Sequence, residues 1–239
     1  MADAQHSPDD PGVERPDVGV ELITEIHVRL ERQFGLPDGS LRTDPTEELI
    51  RTILSQNTND VNRDRAFDSM WARFGSWEAV AAAPAGDLAE AIRSGGLGKI
   101  KAPRIQNALR RVKERSGAYD LSFVCSLPLE EAQAWLQALP GVGPKTAACV
   151  LLFACGIPVM PVDTHIHRVA GRLGLIPKGT SANAAHSLLT GLVPVPMIYP
   201  LHINIIRHGR RTCRAGRPLC DGCVLADLCL YYRQRATTS

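Results

Sequence analysis

No stretch of this sequence approaches the roughly 20 consecutive apolar residues that a helix needs to cross a bilayer, so no membrane insertion is expected. The opening residues, MADAQHSPDD, are acidic and lack the apolar centre of a secretory signal, which makes a cytoplasmic protein the expectation. Apolar and polar residues nowhere alternate with period 2 over a sustained run, and no segment repeats. The first absence argues against sheets and the second against solenoids. Charge of one sign is scarce as well: 27 Lys and Arg face 25 Asp and Glu, leaving +2 over 239 residues. That balance hides an asymmetry, because residues 1–18 carry five acids (Asp3, Asp9, Asp10, Glu14, Asp17) against Arg15 alone. The remainder is therefore modestly basic, which suits nucleic-acid binding without requiring it. The same eighteen residues hold almost no large apolar side chain and are expected to form a disordered tail.

From Val20 onward the apolar residues recur at helical spacing. Leu22, Ile26 and Leu30 mark one helix. Asp44-Pro45-Thr46-Glu47 reads as the next start, with Asp44 as N-cap, Pro45 in the first turn and Glu47 reaching back. Leu49, Ile50, Ile53 and Leu54 give its buried stripe. Phe67, Met70, Trp71 and Phe74 predict an amphipathic helix, as do Ile105, Ala108, Leu109 and Val112, ended by Gly117, and Leu129, Ala132, Leu136 and Leu139. Residues 144–155 are apolar almost all round, which predicts a central helix stopped by Gly156 and Pro158. Asp163 is expected to cap a helix running to Leu173, Ser181 another, and Leu201 to His208 the last before a cysteine-rich segment. The fold class is all-α, with about ten helices joined by short turns.

Leu139-Pro140-Gly141-Val142-Gly143-Pro144-Lys145-Thr146-Ala147 lies between two of these helices. Gly141 and Gly143 permit a tight turn and close backbone approach, and the amides at the following helix start would face an anion such as a DNA phosphate. An ordinary inter-helix turn is the alternative. Lys145 follows in the first helical turn, where the dipole disfavours a second positive charge. That setting suits a nucleophilic amine able to form a Schiff base. The residue types equally allow a surface lysine that touches phosphate. Pro161-Val162-Asp163-Thr164-His165-Ile166 puts a carboxylate at a helix start eighteen residues after Lys145, one helix and one turn away. Asp163 can simply cap. Ionised and fixed by capping, it can also stabilise positive charge at an anomeric carbon as a base departs.

Seven cysteines, an odd number, do not suit a disulfide framework in a reducing compartment. Cys213, Cys220, Cys223 and Cys229, spaced C-x6-C-x2-C-x5-C, suit either tetrahedral zinc or a four-iron cluster. Arg207, Arg210, Arg211, Arg214 and Arg217 surround them, a basic loop that favours phosphate or balances thiolate charge. Cys125, Cys149 and Cys155 lie outside this group and are expected to be buried packing residues.

Taken in order, Leu-Pro-Gly-Val-Gly-Pro-Lys-Thr-Ala, Val-Asp-Thr-His-Ile and His-Gly-Arg-Arg-Thr-Cys with its cysteine spacing resemble the endonuclease III family of helix-hairpin-helix DNA glycosylases, over residues 20–235. The resemblance implies a [4Fe–4S] cluster on Cys213, Cys220, Cys223 and Cys229. It implies a two-lobed helical fold: a six-helix barrel over 38–157, and a cluster domain made of the N-terminal helix (19–37) and residues 158–239. Double-stranded DNA carrying damaged bases or abasic sites would bind between the lobes. Lys145 would attack C1′ of the damaged nucleotide, assisted by Asp163, and β-elimination would then cut the strand 3′ to the lesion. Relatives that only remove bases typically lack this lysine. The hairpin Gly141, Val142 and Gly143, together with His165, Arg210 and Arg214, would contact DNA. Gln56 and Asn57 would enter the gap left by a flipped nucleotide from one side, and Leu97 from the other; Ser55, Asp60 and Gln137 would line the pocket.

Three positions depart from the family. Many members carry Gln where this chain has Asn57 and a small residue where it has Gln56, and some carry Glu where it has Gln137. A bifunctional glycosylase and lyase for oxidised pyrimidines such as thymine glycol is the main expectation. The alternatives are a uracil or thymine mismatch glycosylase, an abasic-site lyase with little base excision, a cluster protein with vestigial catalysis, and a zinc-stapled binding module. A monomer is expected.

Overall fold

The computed structural model describes residues 19–39 and 43–236. The proposed acidic tail therefore lies outside the described residues, which contain no strand. The chain folds as α1 (Val20–Phe34), α2 (Pro45–Ser55), α3 (Asp60–Phe74), α4 (Trp77–Ala82), α5 (Ala85–Ala91), α6 (Gly98–Ser116), α7 (Leu129–Gln137), α8 (Pro144–Cys149), α9 (Thr164–Leu173), α10 (Ala182–Leu192), α11 (Ile198–Arg211) and α12 (Leu230–Ala236). The all-α expectation holds. The short helices α4, α5 and α12 went unread because none has length enough to show a period.

Local chemistry starts and stops these helices as expected. Asp44 accepts from the amides of Thr46 (2.9 Å) and Glu47 (3.0 Å), Asp163 from Ile166 (2.8 Å) and Ser181 from Ala184 (3.2 Å). Gly117 ends α6 in the left-handed region at φ 78°. Glu47 does not reach back to the cap; its carboxylate pairs with Arg51, one turn on, at 2.6 Å. Trp71 sits at the edge of the α3 stripe, 39% exposed, stacked on Phe67 with ring centroids 6.0 Å apart.

The mid-chain helices gather on α2 and α6, with α2 against α3, α6 and α8, and α6 against α4 and α5. At the other end α1 packs on α11, α11 on α9 and α9 on α12. Asn204, fully buried in α11, donates to Gly35 O at 3.1 Å and ties the end of α1 down. The central helix predicted over 144–155 is regular only to Cys149 and then widens into a π segment, Val150–Ala154. There Cys155 N reaches Val150 O (3.3 Å) and Ile157 N reaches Leu151 O (2.9 Å).

That turn corrects the reading of the outlying cysteines. Cys125 and Cys155, half-buried, form a disulfide with a Cα–Cα separation of 5.0 Å. Their thirty-residue spacing gave no sign that the chain end after the π segment folds back on the 3₁₀ turn Ser122–Ser126. Cys149 is buried and free, as expected.

Candidate active site

The turn joining α7 to α8 is built on Gly141, whose φ of +80° few residues other than glycine adopt. A Cβ there would also lie 2.5 Å from Arg104 Cδ. Val142 is buried and its amide bonds Leu139 O at 3.0 Å, which closes the turn. Gly143 precedes Pro144, and no side chain among the described residues caps α8, so its first-turn amides are not spent on a cap. Gln56 braces the turn from the end of α2. Its Nε2 donates to Gly141 O (2.9 Å) and its Oε1 accepts from Arg104 (3.3 Å).

This turn forms one wall of an open cleft. Gln56, Gln137, Gly141, Val142, Gly143 and Lys145 all line it. Arg104, Asn183 and His186 line it too and were not anticipated. Lys145 is half-buried in the first turn of α8. Its charge acts on Glu48, Cys149, His186 and His202, while that of Asp163 acts on Cys149 and His202. Amine and carboxylate thus share two neighbours, though α8, the π segment and a loop separate them in sequence. Burial pushes the Cys149 thiol up and the His186 and His202 imidazoles down. His202 Nδ1 contacts Pro161 O at 3.0 Å, directly behind the segment that carries Asp163.

Glu48 was missed. It faces inward from α2, where Thr43 and Thr52 hydroxyls donate to its carboxylate at 2.9 and 3.0 Å. Burial pushes its pKa up, opposed by those hydroxyls and by the charges of Arg63 and Lys145. A lone Glu beside Glu47 at a helix start reads as a dipole-compensating surface residue, which is why it attracted no notice.

The remaining predicted residues lie around the cleft. Ser55 turns back to donate to Thr52 O (2.8 Å), and Asp60 pairs with Arg63 (3.3 Å) and Arg210 (2.8 Å). Neither lines the cleft, and Arg210 and Asp60 form an ion pair with each other at the surface. Asn57 (φ 55°) and Leu97 (φ 54°) are exposed, Leu97 by 48%, and are the two non-glycine residues at positive φ among those described. His165 Nδ1 meets Arg168 at 3.0 Å. Arg214 is exposed; its Nε donates to Arg211 O at 3.2 Å.

Cys213, Cys220, Cys223 and Cys229 line a second cavity together with His208 and Arg172. Among the described residues no three of His, Cys, Asp and Glu converge closely enough to hold one metal ion. Donors nevertheless point at the sulfurs: Arg172 at Cys213 Sγ (3.3 Å) and the Leu225 amide at Cys223 Sγ (3.4 Å). Burial pushes the Cys223 and Cys229 thiols up, and the other cysteines add to the push. Two of the four sulfurs therefore face hydrogen-bond donors, and cysteines gathered on one cavity are the residue type that a metal cluster takes as thiolate ligands. Two unanticipated arginines on α9 hold the loop: Arg168 bonds Cys213 O (3.0 Å) and Gly209 O (3.0 Å), and Arg172 bonds Arg214 O (2.7 Å) and Ala215 O (2.9 Å).

Residues 50–194 match the family model for the HhH-GPD superfamily base excision DNA repair protein. Endonuclease III of Thermotoga maritima is 34% identical over 216 residues, covering 90% of this chain and 95% of that one. Endonuclease III of Escherichia coli K12 is 33% identical over 208 residues, covering 87% and 94%. Among solved structures, a non-covalent endonuclease III–DNA complex superposes with a TM-score of 0.76 at 28% identity, over 91% of this chain and 98% of that one. A trapped endonuclease III–DNA covalent intermediate gives 0.75 at 28% identity, over 90% and 98%. By sequence over most of its length and by fold, the chain belongs to the HhH-GPD superfamily of base excision DNA repair proteins.

Proposed function

We propose that this DNA glycosylase is bifunctional, excising oxidised pyrimidines of the thymine glycol type and then cutting the strand as an abasic-site lyase. The observation that carries the reading is the Lys145 amine in an open cleft, two residues beyond a glycine turn whose neighbouring helix start is uncapped. The turn amides hold a phosphate, and the nucleotide beside it swings out of the stack into the cleft. The Lys145 lone pair attacks C1′ and the glycosidic bond breaks with its electron pair going to the base. Asp163, fixed by the Ile166 amide, stabilises the positive charge that develops at C1′. The new C1′ ammonium gives up one proton to the departing base, and the nitrogen lone pair then breaks the C1′–O4′ bond, O4′ taking a proton from water to become a hydroxyl. The protonated Schiff base so formed acidifies C2′, and loss of that proton breaks the C3′–O bond and expels the 3′ phosphate. Gln56, Asn57 and Leu97 fill the vacated space, with the trapped endonuclease III–DNA complex as the structural precedent for a covalent adduct.

Cys213, Cys220, Cys223 and Cys229 would hold a [4Fe–4S] cluster. Bound, it supplies a rigid cross-link among thiolates; Arg168 and Arg172 then fix the basic loop that carries Arg214. Mispaired uracil or thymine is the second substrate reading, supported by Gln56 occupying the cleft wall while Asn57 stands at the loop tip.

Borohydride trapping tests this directly, with duplexes carrying thymine glycol, an abasic site or a uracil–guanine mispair. Wild type should trap on thymine glycol and on the abasic site, and Lys145→Gln on neither. Trapping on the mispair but not on thymine glycol would replace the substrate reading. Persistent trapping by Lys145→Gln would move the nucleophile elsewhere.

A further inference from the structure

We propose that Lys101 is a positioning residue that clamps the two gap-filling loops, 55–60 and 95–99, at a fixed separation. The inference rests on the proposed function, which gives those loops their task. Lys101 is 1% exposed, although it lies in the basic run Lys99-Ile100-Lys101. Its Nζ donates to Leu54 O and to Gly95 O, each at 2.7 Å. These are not arbitrary carbonyls. Leu54 is in the last turn of α2, immediately before Ser55, and Gly95 ends the 3₁₀ turn immediately before Gly96 and Leu97. One ammonium therefore satisfies the open carbonyl ends of two short helices at once, where a positive charge also complements both dipoles.

What the clamp holds is visible in the backbone. Asn57 and Leu97, the two non-glycine residues at positive φ, lie three and two residues beyond the clamped carbonyls. Such conformations persist only where the surroundings over-determine them. The loop roots are also in close contact: a Cβ on Gly95 would stand 3.1 Å from Ala66 Cβ and 3.7 Å from Leu54 O, and one on Gly98 2.6 Å from Ala89 O. A residue needed only for packing has no reason to be charged here. Methionine would fill a similar volume, but it would leave two buried carbonyls without a donor. Burial pulls the Lys101 pKa down to about 8, a cost that a purely structural filler would not incur.

The test separates loop geometry from Lys145 chemistry. Wild type and Lys101→Met, compared by circular dichroism and thermal melting, are added to a duplex with a tetrahydrofuran abasic analogue opposite 2-aminopurine. Fluorescence reports the loops entering the gap. In parallel, both are trapped by borohydride on a single-stranded oligonucleotide with a natural abasic site, where there is no gap to fill. A folded Lys101→Met should lose most of the fluorescence change and excise thymine glycol from duplex on the order of 10–100-fold more slowly, while trapping on the single strand persists. Full fluorescence amplitude in a folded Lys101→Met overturns the clamp and leaves the proposed function standing. Absence of both signals in wild type overturns the proposed function, and the clamp with it. Should Lys101→Met not fold, a cycle of Asn57→Ala, Leu97→Ala and the double variant takes its place. Clamped loops act as one unit, so either change alone lowers the amplitude nearly as far as both; independent losses overturn the clamp.

Discussion

Replacing Gly141 by alanine separates what the hairpin contributes to stability from what it contributes to binding. The left-handed φ of +80° costs an alanine about 1–2 kcal/mol. The new Cβ would sit 2.5 Å from Arg104 Cδ and 2.7 Å from Arg104 Nε, so the arginine must swing away. Swinging releases Gln56, whose 3.3 Å bond to Arg104 and 2.9 Å bond to Gly141 O fix the end of α2 against the turn. One net hydrogen bond is worth about 1 kcal/mol, which brings the total to about 2–3 kcal/mol. For a chain of this length each kcal/mol moves the melting temperature by about 2–4 °C, so a fall of roughly 5–10 °C is expected. Binding should fall further than stability, because the turn amides no longer converge on one phosphate. One lost charge-assisted bond, about 1.5–3 kcal/mol, weakens Kd roughly 10–100-fold. The assay is titration of a tetrahydrofuran-containing duplex at fixed salt, alongside thermal melting. Gly143→Ala is the comparison: nothing lies within 4 Å of its Cβ and its φ is −99°, so the fold tolerates it. If it weakens binding at unchanged melting temperature, the ligand itself approaches that Cβ. Unchanged affinity in a destabilised Gly141→Ala would refute the hairpin as a DNA contact.

Two further outcomes follow from the same geometry. Asp163→Asn keeps an N-cap acceptor for Ile166 but removes the negative charge, so melting should be nearly unchanged while single-turnover base excision drops sharply; equal excision rates would reduce Asp163 to a cap. His202, 3% exposed, has its pKa lowered by burial to about 4, so in the window from about 6.5 down to 4 the unfolded chain binds a proton that the folded chain refuses. Stability should therefore be lost as pH falls through that window, and the urea midpoint of His202→Gln should fall less steeply between pH 7 and pH 5; parallel lines would count against a neutral buried His202.

How much of this was legible in the sequence depends on the range of the interaction. Caps at Asp44, Asp163 and Ser181 are settled within three residues, and the sequence states them outright. The Gly-Val-Gly turn and its lysine are likewise local, and the structure puts Gly141, Val142, Gly143 and Lys145 on one cleft wall. Partners far apart in sequence were invisible. Lys101 meets Leu54 across 47 residues, Arg104 meets Gln56 across 48, and Arg172 meets Cys213 across 41. Nothing in a basic stretch such as Lys99 to Arg104 says which side chain turns inward. Arg210 and Asp60 show the converse: each reads as a functional candidate, and across 150 residues they bind each other.

The inward-facing ionisable groups share a position relative to the cleft. Glu48 lies behind Lys145 on the facing helix, His202 behind the Asp163 segment, and Lys101 behind both loops. None of the three lines the cleft itself. Burying such groups is costly, and well-packed apolar residues of similar volume would serve stability as well or better. Their place one layer back fits a role in supporting the cleft and its loops. By contrast, Asn57 and Gln137, two of the positions where the chain departs from the family it resembles, are exposed at the rim. Exchange at Gln137 leaves no buried group unpaired, so that position can vary at little cost in stability, whereas the φ of 55° at Asn57 favours residues that tolerate the left-handed region. On the proposed mechanism, the reaction class rests on Lys145 and Asp163, with Glu48 and His202 packed behind them, and the choice of base on the rim.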